Sequence, residues 1–396
     1  MKKVLVIGAG FLQSYVIKRA KEIGLYVLAV DGNPNAMGFQ FADEYAAVNI
    51  IDEKACLEYA KEHNVDGVLT AATDYGVLSA AYVAQEMGLP GIKYSSAQRI
   101  KNKYQVRKCL YDAKADDTGL AYEISSKEDI ENIKNLIKYP VMVKPCDGSG
   151  SRGAARVDNE KDFYSACVDA LNESLSHKVT VEPFIVGKEY GVESFVENGD
   201  IHIMAVMQKD MTEPPYYAEL GHAIPSGLSC ELENKVKSCV EKALRALEVN
   251  HGSVNMDLLI TESGNVHIVD VGARMGGNLI GSHLVPIGAG IDYIGNMLKA
   301  AVGDECDFTP QKQGIPVASR LLALQPGVVE KLPDFDSISA NGTIVEHHLS
   351  VGDTITPYRT NLDGCGYVVC TAENMAIAKE KAIKAKNRID TEIVRK

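Results

Sequence analysis

The sequence contains no run near 18 apolar residues, so no membrane-spanning helix and no membrane partner are expected. The opening Lys2-Lys3-Val4-Leu5-Val6-Ile7-Gly8 is a short apolar run ended by glycine. That reads as a β-strand and lacks the longer apolar core of a signal peptide. Low-complexity segments and repeats are absent too. The nine cysteines show no metal-binding spacing, and even the nearest pair, Cys365 and Cys370, does not fit zinc. A dispersed, odd set suits reduced thiols, and a cytoplasmic location is the expectation. Positive charge is in deficit: 41 Lys and Arg face 53 Asp and Glu, a net charge of −12. Such a chain binds polyanions poorly, which excludes nucleic acid as the expected partner. Its 396 residues exceed one ordinary core, so two to four domains are expected.

What is present is concentrated between Tyr139 and Ala154. An apolar strand ends at Lys144, and Gly148, Gly150 and Gly153 then alternate with Ser149, Ser151 and Arg152. Glycines let backbone approach a ligand closely, and successive N–H groups in such a turn cradle anions. A lysine at the strand end adds a point charge suited to phosphate. The segment reads as a nucleotide-phosphate clamp.

Residues 1–95 alternate short strands and helices, beginning with a strand near residues 3–7 and a helix near 11–23. That alternation predicts a doubly wound parallel α/β domain. Gly8 and Gly10, with Asp31 some 20 residues on, match part of a dinucleotide fingerprint, but Gln13 stands at the third glycine position. A plain βαβ turn and an NAD(P)-dependent oxidoreductase site are both open on these residues. Ser95 and Ser96 then cap an expected helix carrying Lys103, Arg107 and Lys108, a face that could simply be solvated.

Further on, Glu182-Pro183-Phe184-Ile185 ends a strand in an extended connector, whose free backbone groups suit an adenine edge. Glu189 follows and suits ribose hydroxyls. Two strands, near 255–260 and 266–271, flank Ser263-Gly264-Asn265. A turn centred between Ser263 and Gly264 places Asp257 opposite Asp270, with Cβ atoms roughly 4.5–5.5 Å apart. Carboxylates there repel by roughly 3 kcal/mol at an effective dielectric near 20, a penalty that Mg²⁺ would remove. The competing reading is two solvated aspartates, or a shifted register that separates them. Arg274 lies four residues beyond Asp270 and could grip a phosphate or carboxylate.

Glu219 and His222 lie in an expected loop-rich insertion between strands, either as substrate contacts or as ordinary loop packing. Residues 304–396 read as a small β-rich domain, with strands near 317–323, 342–349, 354–357 and 366–371 and a last helix near 376–388. Arg320 lies on its first strand and could reach a substrate carboxylate. His347 and His348 are adjacent and point to opposite faces, so they do not share a metal.

In order, Lys103, Lys144, the glycine loop 147–153, Glu182 to Ile185, Glu189, Asp257, Asp270 and Arg274 resemble the ATP-grasp superfamily. Its carbamoyl-phosphate-synthase-like and amino-acid-ligase branches, with a biotin-carboxylase-type architecture, are the most similar. The resemblance implies an α/β domain over 1–95 and a two-lobed α+β ATP-grasp domain over 96–303. The lobes would divide at about 112–183 and 184–303, with the β-rich domain following. It implies phosphate contacts from Lys103, Lys144, Gly148, Ser149, Gly150 and Ser151. It also implies nucleotide contacts from Glu182, Phe184, Ile185 and Glu189. Asp257 and Asp270 would hold Mg²⁺, with Mn²⁺ as the alternative ion. Arg274, Lys144 and Arg320 would assist the chemistry, and Glu219, His222 and Asn278 would meet substrate.

The implied reaction is ATP-dependent activation of a small, amino-acid-like carboxylate as an acyl phosphate, then capture by an amine. Same-fold alternatives are a carboxylase or a carbamoyl-phosphate-synthase-like enzyme acting on bicarbonate; a non-catalytic nucleotide sensor is a third. The resemblance also allows a homodimer. Many relatives carry an asparagine two residues after the second metal acid, where this chain has Gly272. Asn278 is the candidate to compensate.

Overall fold

The computed structural model describes residues 1–148, 153–214 and 216–396. The N-terminal domain is a four-stranded parallel sheet: β1 (Lys3–Ile7), β2 (Tyr26–Asp31), β3 (Glu44–Ala47) and β4 (Gly67–Thr70), in the order β3-β2-β1-β4. Val4, Leu5, Val6 and Ile7 are fully buried, as continuous apolar runs are when helices cover both faces. The Gly8-Ala9-Gly10 turn is filled by the chain itself. The Gln13 amide donates to the Ala71 carbonyl at 2.6 Å, and a Cβ on Gly10 would lie 3.0 Å from Gln13 Oε1. The Asp31 carboxylate accepts from the Ala9 and Asn33 N–H groups, both at 2.8 Å. With Gln13 in the third glycine's place and Asp31 committed to the turn, this geometry argues against the dinucleotide reading.

The expected single basic helix is two helices, Tyr94–Lys101 and Lys103–Asp112. Asn102 breaks them and caps the second, its side chain accepting from Gln105 N at 3.0 Å. Ser96 lies inside the first helix, buried, and donates to the Glu248 carbonyl. Nor is the basic face simply solvated. Arg107 is buried and donates to Asp116 and to the Ile268 carbonyl.

A second, antiparallel sheet holds β5 (Tyr122–Ile124), β6 (Val141–Pro145), β7 (Ala155–Val157) and β8 (Val179–Pro183), in the order β5-β8-β6-β7. Period-two alternation on β6 buries Val141 and Val143 against the helix Glu160–Glu173. Met142 and Lys144 then fall on the opposite face, toward the cleft.

The third sheet has eight strands. Its first part is β9 (Lys188–Glu197), β10 (Asp200–Met211), β11 (Glu219–Ile224), β12 (Gly252–Ile260) and β13 (Val266–Gly272). Then come β14 (Val317–Leu321), β15 (Gly327–Lys331), β16 (Thr343–His347), β17 (Thr354–Ile355), β18 (Gly366–Thr371) and β19 (Val394–Arg395). The large sheet runs β13-β12-β9-β10-β11-β14-β18-β16, and β17-β15-β19 form a small separate sheet. The helix Cys230–Ala246 covers the large sheet with a stripe of Val236, Cys239, Val240, Ala243 and Leu244.

Two sequence expectations change here. Glu219 and His222 are not in a loop but on β11, which pairs with β10 through Gln208↔Ala223 and with β14 through Ala223↔Ala318. The short strands β15 and β19 were not anticipated, because each is completed only by distant partners. Among the described residues, no helix is long and apolar enough to cross a membrane.

Candidate active site

A cavity of about 1120 Å³ opens between the second sheet and the large sheet, with the N-terminal domain at one end. Lys103, Lys144, Glu182, Asp257, Asp270 and Arg274 all line it. Gly148, Phe184, Ile185 and Glu189 line it as well. Ser149, Gly150 and Ser151, expected phosphate contacts, lie outside the described residues.

The nucleotide side is held by local pairings. Lys144 donates to the buried Glu182 carboxylate at 3.2 Å, one strand over. The Lys103 N–H donates to the Cys146 carbonyl at 2.8 Å, fastening that helix start to the end of β6. Beyond the hinge, the Arg156 guanidinium stacks 4.4 Å from the Phe184 ring centre.

Asp257 pairs with Asp270 as expected, although Ile260↔Val266 and Leu259↔His267 centre the turn on Ser263 rather than between Ser263 and Gly264. A bulge follows between Asp257 and Leu258. Each carboxylate carries a lysine, with Lys103 2.5 Å from Asp270 and Lys209 2.8 Å from Asp257. Among the described residues, no group of three or more His, Cys, Asp or Glu side chains is arranged for a metal. Yet burial pushes the Asp257 carboxyl up against the pull of Lys209, with Glu219 and Asp270 adding to the rise. Two opposed carboxylates crowded beside Glu219 are hard oxygen donors of the kind that fits a divalent cation.

Gly272 offers no third ligand, for a visible reason. A Cβ there would lie 3.1 Å from the Arg274 guanidinium carbon and 3.3 Å from Asp74 Oδ1. The Arg274–Asp74 pair, at 2.9 Å, fills the space a side chain would need. Asn278 does not compensate. Its amide donates to Glu219, and its oxygen accepts from the Tyr367 hydroxyl at 3.0 Å.

Glu219 organises the part of the cavity next to Asp257, to which Lys209 links it. Its carboxylate meets Lys209 at 2.6 Å, the Asn278 amide, and the Asn361 amide at 2.9 Å. The Tyr358 hydroxyl donates to its backbone carbonyl. Burial would raise this carboxyl, but Lys209 holds it down to about 2. His222 is buried beside it, with Nδ1 unpartnered among the described residues. Burial pushes its imidazole down to about 4, so it is neutral at pH 7. Arg320 reaches the cavity and sits 3.6 Å from Asp210, which Lys379 also holds at 2.6 Å.

Three residues of this region escaped the sequence reading. Lys209 lies inside β10, and no local motif marks it as part of a site. Asp74 follows β4, and the carboxyl ends of parallel strands are where ligands gather, a signal that could have found it. Glu193 shares a strand face with Glu189, two alternations away. It is buried and accepts from the Tyr293 hydroxyl, the Asn255 amide and Gly276 N at 2.7–3.2 Å. It thereby pins the backbone just after Arg274.

Residues 137–282 match the ATP-grasp domain family, and residues 320–394 match L-amino acid ligase C-terminal domain 2. The uncharacterized protein y4rH of Sinorhizobium fredii is 26% identical over 394 residues, covering 96% of this chain and 80% of that protein. Human carnosine synthase 1 is 22% identical over 377 residues, 88% of this chain but 45% of that protein. The chain therefore spans less than half the length of that relative. The crystal structure of an L-amino acid ligase from Bacillus licheniformis shares the fold, with a TM-score of 0.83 at 20% identity, covering 100% of this chain and 99% of that one. The chain thus carries an ATP-grasp domain ahead of an L-amino acid ligase C-terminal domain 2.

Proposed function

We propose that the protein is an ATP-dependent carboxylate–amine ligase that activates an amino-acid-like acid as an acyl phosphate. The observation that carries this is one cavity lined by two chemically different sets of groups. The first is Lys103, Lys144 and the opposed Asp257 and Asp270; the second is Glu219 and the neutral His222, which adjoin the first through Lys209, shared by Glu219 and Asp257. The first set suits the phosphates of ATP, and the second suits a substrate ammonium.

Lys103 and Lys144 neutralise phosphate charge, and the Phe184–Ile185 backbone receives adenine. Asp257 and Asp270 would hold Mg²⁺, which when bound supplies charge stabilisation at the phosphates. Arg274, fixed by Asp74, faces the charge that develops as the γ-phosphoryl moves to the substrate carboxylate. The carboxylate oxygen bonds to phosphorus and ADP leaves. An amine then attacks the acyl carbon, forming the C–N bond and releasing phosphate. Glu219 accepts hydrogen bonds from a substrate ammonium beside the Asp257 carboxylate. The similarity to carnosine synthase 1 and L-amino acid ligase favours amino-acid-like partners.

The test is ADP and phosphate release across a panel of amino acids and small carboxylates, singly and in pairs, with Mg-ATP. Bicarbonate is included as one arm. Release that requires an acid and an amine, with a C–N-linked product by mass, is the expected result. No release above background with any acid, or release driven by bicarbonate alone, sinks the ligase reading.

A further inference from the structure

Lys209 has no counterpart in the site expected from sequence, yet it is the most heavily engaged cation in the cavity. Its side chain is 1% exposed. Its ammonium lies 2.6 Å from Glu219, 2.8 Å from Asp257 and 3.6 Å from Glu189. These acids come from three strands, β11, β12 and β9, while Lys209 stands on β10. Three carboxylates thus share one buried positive charge.

The reach to Asp257 crosses a whole strand. In the sheet, β9 lies between β10 and β12, and Gly191 on β9 pairs with Met207 on one side and Asp257 on the other. A Cβ at Gly191 would meet the Lys209 side chain at 3.6 Å and Met207 at 3.4 Å. These are van der Waals distances, so the lysine stem lies directly on Gly191, and a side chain that extends beyond Cβ would press into it.

We propose that Lys209 is a positioning residue that acts as a built-in competitor for the cation site. It holds Asp257 and Glu219 in place in the nucleotide-free enzyme and yields Asp257 to the divalent cation. This rests on the assignment of Asp257 to the metal. An ammonium and a divalent cation cannot both use the same carboxylate oxygens at full strength. Withdrawing the lysine therefore strengthens cation binding at Asp257, the opposite of what losing a merely structural side chain would do.

The test is Mn²⁺ binding to the full-length protein without nucleotide, read from the EPR signal of free Mn²⁺. Lys209→Met is expected to bind Mn²⁺ roughly tenfold tighter than wild type, the scale of one charge-assisted hydrogen bond removed as competitor. Gly191→Val keeps every charge and blocks the path of the lysine, so it is expected to tighten binding severalfold. If Lys209→Met does not fold, as judged by circular dichroism, Gly191→Val decides alone. Affinity unchanged or weakened in the folded variants overturns the inference. Asp257→Asn separates the two ideas. If it leaves Mn²⁺ affinity intact, the metal assignment fails and this inference with it. If it weakens Mn²⁺ binding while the other variants change nothing, only the competition fails.

Discussion

Asp74 and Arg274, 200 residues apart, join the N-terminal domain to the catalytic sheet through two hydrogen bonds, at 2.9 and 3.3 Å. Burial would raise the Asp74 carboxyl, but the guanidinium holds it down to about 2. The contact is reinforced by backbone, since Ala72 N donates to the Met275 carbonyl at 3.0 Å. A domain outside the large sheet thus fixes the position of an arginine that lines the candidate site.

Asp74→Ala should leave nucleotide binding nearly intact while turnover falls roughly 100-fold, the scale of misplacing one reacting group. ADP release and calorimetry with a non-hydrolysable ATP analogue measure the two quantities. Equal losses in both would mean that Asp74 supports the fold rather than aims Arg274.

Gly272→Asn should fail by the same route. Its Cβ would push on Arg274 at 3.1 Å. Turnover should fall about as far as in Asp74→Ala. The double variant should be little worse than either single one, because residues acting as a unit are non-additive. Additive losses would place the two residues in separate functions.

Lys144→Ala should abolish turnover and weaken nucleotide affinity at least about tenfold, since a phosphate loses a charge-assisted partner. It also leaves the buried Glu182 without its cation, so the midpoint of thermal unfolding should drop. Lys144→Arg should recover much of the midpoint but little of the turnover, because guanidinium geometry differs from that of an ammonium. Wild-type turnover in Lys144→Ala would remove the strand lysine from the mechanism.

The pH dependence of stability should show two opposing buried groups. Burial pushes Glu193 up to about 7, so the folded state holds its proton where the unfolded state has lost it. That contribution is full below about 4.5 and fades as pH rises through about 7. Burial pushes His222 down to about 4, so its contribution is present above 6.5 and fades as pH falls through about 4. Between pH 5 and 6.5 the slopes oppose each other. Glu193→Gln should unmask a rise in unfolding free energy of roughly 2 kcal/mol across that range, and His222→Gln a comparable fall. Urea unfolding at both pH values checks this. Variant curves parallel to wild type would show that neither group carries the assigned shift.

Much of the site was legible because its signals are local. Lys144 is placed by the alternation of Val141, Met142 and Val143 along one strand. Asp257 faces Asp270 as expected but for a different reason: the turn centres on Ser263, and the bulge between Asp257 and Leu258 shifts the ladder by one residue to bring the two aspartates opposite. Glu219 and His222 were misread as loop because the prolines before them suggest irregular chain. The strand forms only when β10 and β14 flank it. The basic helix was misjudged because composition does not show that Arg107 finds Asp116 and a buried carbonyl.

The sequence by itself determined the strand and hairpin order and the cleft-facing position of Lys144 on β6, since each depends on residues within one or two turns of chain. Only the tertiary structure decided which charges share a partner. Lys209 reaches Asp257 across Gly191 of the intervening β9, and Arg274 pairs with Asp74, which arrives from another domain. Burial then fixes the protonation of Glu193 and His222. Electrostatic character depends on distance and desolvation, and neither is set until distant strands pack.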